Sequence, residues 1–164
     1  VQYMFDSFPS EAKMVKTINR QDEGGWSPLM SSVSAGHVKV VQMLLEKGAD
    51  TSLRNDAGQI ALHYVKKSEE MTGMLLEKTE DINVKATNAK STPLLKSIIG
   101  GNLRVVKMLV AAGGSVNERD RSGNTALHLA YDEGDEEMVQ FLLDNNASKI
   151  LKNGEGKTPE EMRR

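Results

Sequence analysis

The sequence contains no cysteine in its 164 residues. Disulfide bridges, a thiolate zinc site and a cysteine nucleophile are therefore excluded, and the absence fits a reducing compartment. No apolar run approaches the roughly 20 residues that a membrane-spanning helix needs. No basic flank followed by an apolar stretch marks a signal peptide. We expect an intracellular protein located in the cytoplasm, with the nucleus as an additional location.

The chain also lacks a dominant charge of one sign. Its formal net charge is -2, and acidic and basic residues are scattered along its whole length. Such a chain has no broad basic field that would draw it onto nucleic acid or an anionic membrane. We therefore expect neither of these as a partner. The proportions of hydrophobic and charged residues, 38% and 27%, are those of an ordinary folded domain or a short repeat array.

What the chain does contain is an internal repeat. A leucine recurs at intervals of 33, 32 and 33 residues, at Leu29, Leu62, Leu94 and Leu127. An apolar pair farther along each unit recurs independently, at intervals of 31, 34 and 33 residues. Because two markers share nearly the same period, the pattern predicts an array of similar structural units.

Each unit has signals for two helices. Ser27, Thr92 and Thr158 each stand before a proline, an arrangement that predicts a capped helix start. In three units a glycine about eight residues after the start of the first helix predicts its end, at Gly36, Gly101 and Gly134. An amphipathic run then predicts a second helix, which Gly48 and Gly113 end in two of the units.

Several segments depart from this pattern. The second unit has no glycine between its helices and its apolar pair comes two residues early, which predicts a tightened turn there. One extra residue near Asn83 nearly restores the frame. Residues 1–5 read as the second helix of an incomplete unit, and residues 9–16 as part of a lengthened loop after it.

The period, the turn, the two helices and the stretch Gly-Asn-Thr-Ala-Leu-His-Leu-Ala at residues 123–130 resemble the ankyrin-repeat family. The resemblance implies an all-α solenoid, in which stacked helix-turn-helix units are joined by β-hairpin-like loops. It implies one domain over residues 1–164, with a partial repeat at 1–24. Full repeats follow at 25–57, 58–89, 90–122 and 123–155, and a capping repeat starts at 156–164.

No residue cluster predicts catalysis. The sequence has no glycine-rich phosphate loop, nucleophile elbow or His-Glu-x-x-His motif. His63 and His128 occupy the same motif position in two repeats, which predicts a structural role and places them too far apart to share a metal. The acidic residues around Asp135 are expected to stabilise the start of a helix. We therefore expect no enzyme activity, no cofactor and no metal site.

The resemblance also implies a protein-binding surface on the concave face. In the family the contact positions flank the turn glycine and end the first helix. By register these positions are Glu23, Trp26, Ser34, Asp56, Gln59, Lys67, Asn88, Ser91, Ile99, Arg121, Asn124, Asp132, Glu133 and Lys157. Trp26 has two interpretations, which the sequence leaves open. It is either an interface hot spot or a side chain that packs over the adjacent turn and stabilises the stack.

Residues 22–29, together with Asp132 and Glu133, resemble one group within the family more closely. These are chaperones that assist assembly of the proteasome regulatory particle. The resemblance implies a monomer that binds the C-terminal domain of a proteasomal ATPase subunit. Two alternatives stay open, namely an adaptor or inhibitor of another signalling protein, and an ankyrin module of a larger enzyme or channel.

Overall fold

The computed structural model describes residues 11–66 and 68–163, and these residues form eight α-helices and two short 3₁₀ helices. The α-helices are α1 (Glu11–Ile18), α2 (Pro28–Ala35), α3 (Val38–Glu46), α4 (Glu69–Leu76), α5 (Pro93–Ile99), α6 (Leu103–Ala111), α7 (Ala126–Glu133) and α8 (Glu136–Asp144). The 3₁₀ helices are Ala61–Tyr64 and Glu160–Met162. Each helix packs mainly on its own repeat or the next one, and the described part of the chain contains no strand. The predicted all-α repeat fold is confirmed.

The helix starts follow the predicted caps. The hydroxyls of Ser27 and Thr92 accept hydrogen bonds from the N–H groups of Met30 and Leu95, each at 3.3 Å. The following proline occupies the first turn, where its missing N–H costs nothing. At Thr158, only the single 3₁₀ turn Glu160–Met162 follows the proline.

The tightened turn predicted for the second repeat is wrong, because four residues separate its two helices and only two separate α2 from α3. The shortened part is instead the first helix of that repeat. It is the single 3₁₀ turn Ala61–Tyr64, whereas α2 and α7 each have eight residues. Lys66 takes the left-handed conformation with a φ of 47°, which glycine adopts more readily in the other repeats. Ser68 then caps α4 by accepting a hydrogen bond from the N–H of Met71.

One expectation about loops is refined by the structure and one needs correction. The extra residue lies a few positions beyond Asn83, in the turn 86–91, because this turn closes over six residues and the turn 120–124 over five. The lengthened loop was predicted for residues 9–16, but residues 11–16 belong to α1. The helix predicted for residues 1–5 lies outside the described residues.

The turns form a ladder along one side of the stack. One backbone hydrogen bond joins each turn to the preceding one, from Asp56 to Gly24, Thr87 to Ala57, Arg121 to Ala89 and Gly154 to Ser122, at 2.7–3.0 Å. Gly25 shows why the tips must be small, since its φ is 74° and an added Cβ would lie 2.8 Å from the Cα of Asn55. Successive turns therefore lie in register.

Three asparagines, not anticipated from the sequence, link the loops after α1, α4 and α6 to the following repeat. The carboxamide oxygens of Asn19, Asn83 and Asn117 accept a backbone N–H of the following repeat at 2.8–2.9 Å. The side-chain amide groups of these asparagines donate to a backbone carbonyl that lies just after the second helix of that following repeat. Ser52 occupies this position after α3, where the bridge to the next repeat is instead made by the hydroxyl of Thr51.

The hydrophobic core is continuous through the repeats. The four periodic leucines, Leu29, Leu62, Leu94 and Leu127, are each at most 1% exposed. They belong to one cluster of buried side chains that extends from Leu29 to Ala147. Burying one such leucine contributes about 1.5–3 kcal/mol, so stacking of the units supplies the stability that a single hairpin lacks.

Candidate protein-binding surface

The turn-side surface consists of the turns 22–26, 55–59, 86–91 and 120–124 together with the C-terminal ends of the first helices. The exposed predicted residues are Glu23, Asp56, Asn88, Ile99, Arg121, Glu133 and Lys157. The half-buried ones are Trp26, Ser34, Gln59, Ser91, Asn124 and Asp132. Lys67 lies outside the described residues.

Glu23 and Trp26 line the same cleft of about 600 Å³ at the first turn. The carboxylate of Asp22 shapes this turn by accepting the N–H groups of Gly24 and Trp26, at 2.9 and 2.8 Å. Arg20 lies on the lining of the cleft as well. An exposed acid, a basic residue and an indole therefore occur side by side at this end of the surface.

The indole of Trp26 packs against Tyr64 of the next repeat. The two ring centroids are 4.7 Å apart and the planes are tilted by 41°. The hydroxyl of Tyr64 donates to the side-chain carbonyl of Gln59 and accepts from the amide of Asn55. Trp26 thus has the stack-stabilising contact proposed for it, and its half-exposed surface stays accessible for a partner.

A lysine continues this aromatic pair into the third repeat. The Nζ of Lys96 lies 4.3 Å from the centroid of the Tyr64 ring, a cation–π contact. Burial lowers the pKa of Lys96 below its ordinary value. Neither Tyr64 nor Lys96 is among the contact positions predicted from the sequence. Their equivalent positions in the repeat could have indicated that they lie side by side, because each stands two positions after the periodic leucine of its repeat.

Several predicted positions are used for contacts between the turns. The guanidinium of Arg121 donates to the carbonyl of Asn88 at 3.0 Å. The carboxamide oxygen of Asn124 accepts from Asn153 at 2.8 Å. Lys157 forms an exposed ion pair with Glu155 at 2.8 Å. The bonds of Arg121 and Asn124 join neighbouring turns, whereas the Lys157–Glu155 pair lies within a single turn.

The two motif histidines form bonds between neighbouring repeats. The Nδ1 of His63 accepts the N–H of Ile60 at 3.2 Å, and its Nε2 lies 3.1 Å from the carbonyl of Ser91. His128 makes the same pair of contacts, with the N–H of Thr125 and the carbonyl of Lys157. This pattern requires a neutral ring that carries its proton on Nε2. The predicted structural role of both histidines is confirmed.

Burial disfavours a charge on either motif histidine. Burial, with a smaller contribution from the nearby Lys96 cation, lowers the pKa of His63 to about 4, although the hydrogen bond to the carbonyl of Ser91 acts in the opposite direction. Burial also lowers the pKa of His128. The Nδ1 atom of each ring is occupied by a backbone donor and the ring is buried. These side chains are therefore poorly placed for metal binding or proton transfer.

The acids near residue 135 start a helix, as predicted. The carboxylate of Asp135 accepts the N–H of Met138 at 3.0 Å and caps α8. Glu136 and Glu137 occupy the first turn, where negative charge favours the helix dipole. Within residues 11–66 and 68–163, no group of three acidic, histidine or cysteine side chains is arranged to hold a metal ion. None of the helices described there is both long and apolar enough to cross a bilayer.

Stacked helical hairpins, turns in register and equivalent histidines in two repeats define a repeat scaffold. Comparison with known proteins identifies its class. The family model described as ankyrin repeats (3 copies) matches residues 10–86 and 75–153. The chain belongs to the ankyrin-repeat family. Ankyrin repeats are typically non-enzymatic modules that mediate contacts between proteins.

Three curated relatives are similar over most of the chain. Phosphocholine transferase AnkX of Legionella pneumophila is 29% identical over 81% of this chain and 15% of its own length. The mouse B-cell lymphoma 3 protein homolog is 32% identical over 67% of this chain and 25% of its own length. Human protein phosphatase 1 regulatory subunit 27 is 26% identical over 70% of this chain and 75% of its own length. The chain thus spans a quarter or less of the first two relatives.

Proposed function

We propose that this chain is a non-enzymatic scaffold that binds a protein partner on its turn-side surface. The observation that carries the proposal is the row of Trp26, Tyr64 and Lys96 across three repeats, next to Ile99 with 56% of its surface exposed. Aromatic residues that are anchored on one side and accessible on the other are typical of interface hot spots. The names of the relatives include a regulatory subunit of a phosphatase, which is consistent with this class of function.

We further propose that the partner is the C-terminal domain of a proteasomal ATPase subunit, held during assembly of the regulatory particle. The support is the resemblance of residues 22–29, with Asp132 and Glu133, to gankyrin. Glu23 occupies the acidic turn position of that chaperone and is exposed here. None of the three relatives described above is gankyrin, so this partner rests on the resemblance of those residues. Location in the cytoplasm and nucleus belongs to the same proposal.

Affinity purification from lysate tests the partner. The full-length protein should retain a proteasomal ATPase subunit, and raised salt should weaken the capture because rim charges are screened. Capture of a kinase, phosphatase or transcription factor instead would favour the adaptor or inhibitor alternative.

The low coverage of the first two relatives also favours a test of the complete coding sequence. A catalytic region beside the repeats, as in the named transferase, would make this chain a module of a larger enzyme.

Replacement of Trp26 by alanine is expected to weaken capture of the partner by about 2 kcal/mol or more, as for other aromatic hot spots. It should also lower the free energy of unfolding by about 0.5–1.5 kcal/mol, because the contact with Tyr64 is lost. Calorimetric binding and chemical denaturation measure the two effects separately.

Two further variants, one at Trp26 and one control at another site, separate the effect on binding from the effect on packing. Trp26→Phe keeps an aromatic ring against Tyr64 and should recover most of the stability. Ile150→Ala removes an 82% exposed apolar side chain from the last loop and should change neither quantity. If Trp26→Ala lost stability but bound with unaltered affinity, Trp26 would be purely a packing residue.

A further inference from the structure

A cleft of about 590 Å³ opens between the second and third repeats. It lies beside the shortened 3₁₀ helix Ala61–Tyr64, which faces the longer α5 (Pro93–Ile99). The second repeat has six residues from its periodic leucine to the cap of its second helix, and the other three repeats have eight. The shorter repeat therefore covers less of the end of α5, and Ile99 is left 56% exposed.

The lining of this cleft is mostly apolar, with two cations. Tyr64 and Val65 come from the second repeat, Pro93 and Ile99 from the third. Lys66 and Lys96 supply the positive charge, one from each repeat. We call this site the Lys96 cleft.

Neither lysine of the Lys96 cleft forms an ion pair with a carboxylate of the described residues. The four ion pairs found there use Lys85, Arg104, Lys157 and Arg163 as cations. Lys66 donates to the carbonyl of Ser34 at 2.7 Å, which leaves ammonium protons free to bind another acceptor. Lys96 is half-buried over the Tyr64 ring, and its lowered pKa reflects incomplete hydration.

We propose that the Lys96 cleft binds a short segment of a protein partner in which an apolar side chain stands next to an acidic one. The apolar side chain occupies the space between Val65 and Ile99, and the carboxylate accepts a hydrogen bond from the Nζ of Lys96. A carboxylate there replaces the hydration that burial takes from the ammonium group, and a hydrogen bond between two charged groups is stronger than one between neutral groups. The inference deepens the proposed function, on which it rests, because it names the chemistry of the bound segment.

Titration with short synthetic peptides tests the Lys96 cleft directly. One peptide carries Asp-Leu-Glu in a Gly-Ser frame, and its matched controls carry Asn-Leu-Gln and Asp-Gly-Glu. The methyl resonances of Ile99 report binding by NMR. The Asp-Leu-Glu peptide should shift them, and each control peptide should bind about tenfold more weakly, equivalent to about 1.4 kcal/mol.

Lysine variants then assign the charge. Lys96→Met keeps the aliphatic stem and should weaken binding of Asp-Leu-Glu about tenfold, to the level of the Asn-Leu-Gln peptide. Lys107→Met is the matched control, because Lys107 also lies over an aromatic ring, that of Phe141 at 5.6 Å, but is absent from the cleft lining. It should bind like the wild type. Thermal melting of both variants checks that they remain folded.

Three results would overturn the inference: unmoved Ile99 methyl signals at saturating Asp-Leu-Glu peptide, equal affinity for Asn-Leu-Gln, or full affinity in folded Lys96→Met. These outcomes are separable from failure of the proposed function. If the peptide fails to bind while the protein still captures a partner from lysate, only the Lys96 cleft assignment is wrong. If the peptide binds as expected but no proteasomal ATPase is captured, the cleft stands and the proposed partner is wrong.

Discussion

Replacing Leu109 by alanine is expected to lower the free energy of unfolding by about 2–5 kcal/mol. Leu109 lies in α6, is 1% exposed and belongs to the continuous core cluster. Its helix packs against α4 of the preceding repeat and α5 of its own. The substitution therefore removes apolar contacts and leaves a cavity inside the stack, where neighbouring repeats hold the surrounding helices in place. An exposed ion pair contributes only about 0–1 kcal/mol, so this loss should exceed that of any surface charge substitution.

Urea denaturation followed by circular dichroism measures this loss. Val40→Ala is the matched control, because Val40 is an aliphatic residue on α3 with 39% of its surface exposed. That variant should change the free energy of unfolding by about 0.5 kcal/mol or less. A Leu109→Ala protein as stable as Val40→Ala would show that the buried face of α6 has been assigned wrongly.

Acidification is expected to destabilise the fold through His63, with a limiting loss of about 3 kcal/mol. The pKa of His63 is about 4 in the folded protein, and its ordinary value of 6.5 applies to the unfolded chain. Between these values the unfolded chain binds more protons than the folded chain. The contribution of His63 is therefore fully present above about pH 6.5 and is lost as the pH falls toward 4. Protonation of Nδ1 removes the acceptor for the Ile60 N–H and places a charge in a buried site near Lys96.

The measurement is the free energy of unfolding between pH 7.5 and about 4, compared with that of His63→Leu. Leucine is the residue that the third repeat places at this motif position, as Leu95. The variant should be less stable at neutral pH, because the Ser91 bond is lost, but should show a shallower decline on acidification. His37→Gln controls for histidine content, since His37 is exposed. An equally steep decline in wild type and His63→Leu would assign the acid sensitivity to other groups.

Much of the fold was predictable because its signals are local. The hydroxyl before a proline at Ser27 and Thr92 predicts a helix start, because it satisfies a free N–H within the same turn. The left-handed Gly36 and Gly134 end their helices for an equally local reason. His63 and His128 share a motif position, and their equivalent bonds in the structure confirm the structural role inferred from it.

Other features could not be predicted, because they depend on the neighbouring repeat. The bridging asparagines were missed since their partners lie about thirty residues away. The loop predicted for residues 9–16 was wrong over 11–16. That prediction came from counting the extra residues before Leu29, and a count of residues does not show whether they form a loop or a helix. Of the proposed contact residues, Arg121 and Asn124 also bond neighbouring turns, which only the stacked arrangement reveals.

The sequence by itself determined the period, the all-α class, most of the helix ends and the role of the motif histidines. Each depends on interactions within a few residues or on the repetition itself. The tertiary structure alone decided which side chains meet across repeats. Trp26, Tyr64 and Lys96 are far apart along the chain, and they become neighbours because the stack brings successive first helices and turns into register. The cleft beside Lys96 has the same origin, since a repeat shorter by two residues exposes part of its neighbour only once the two are packed together.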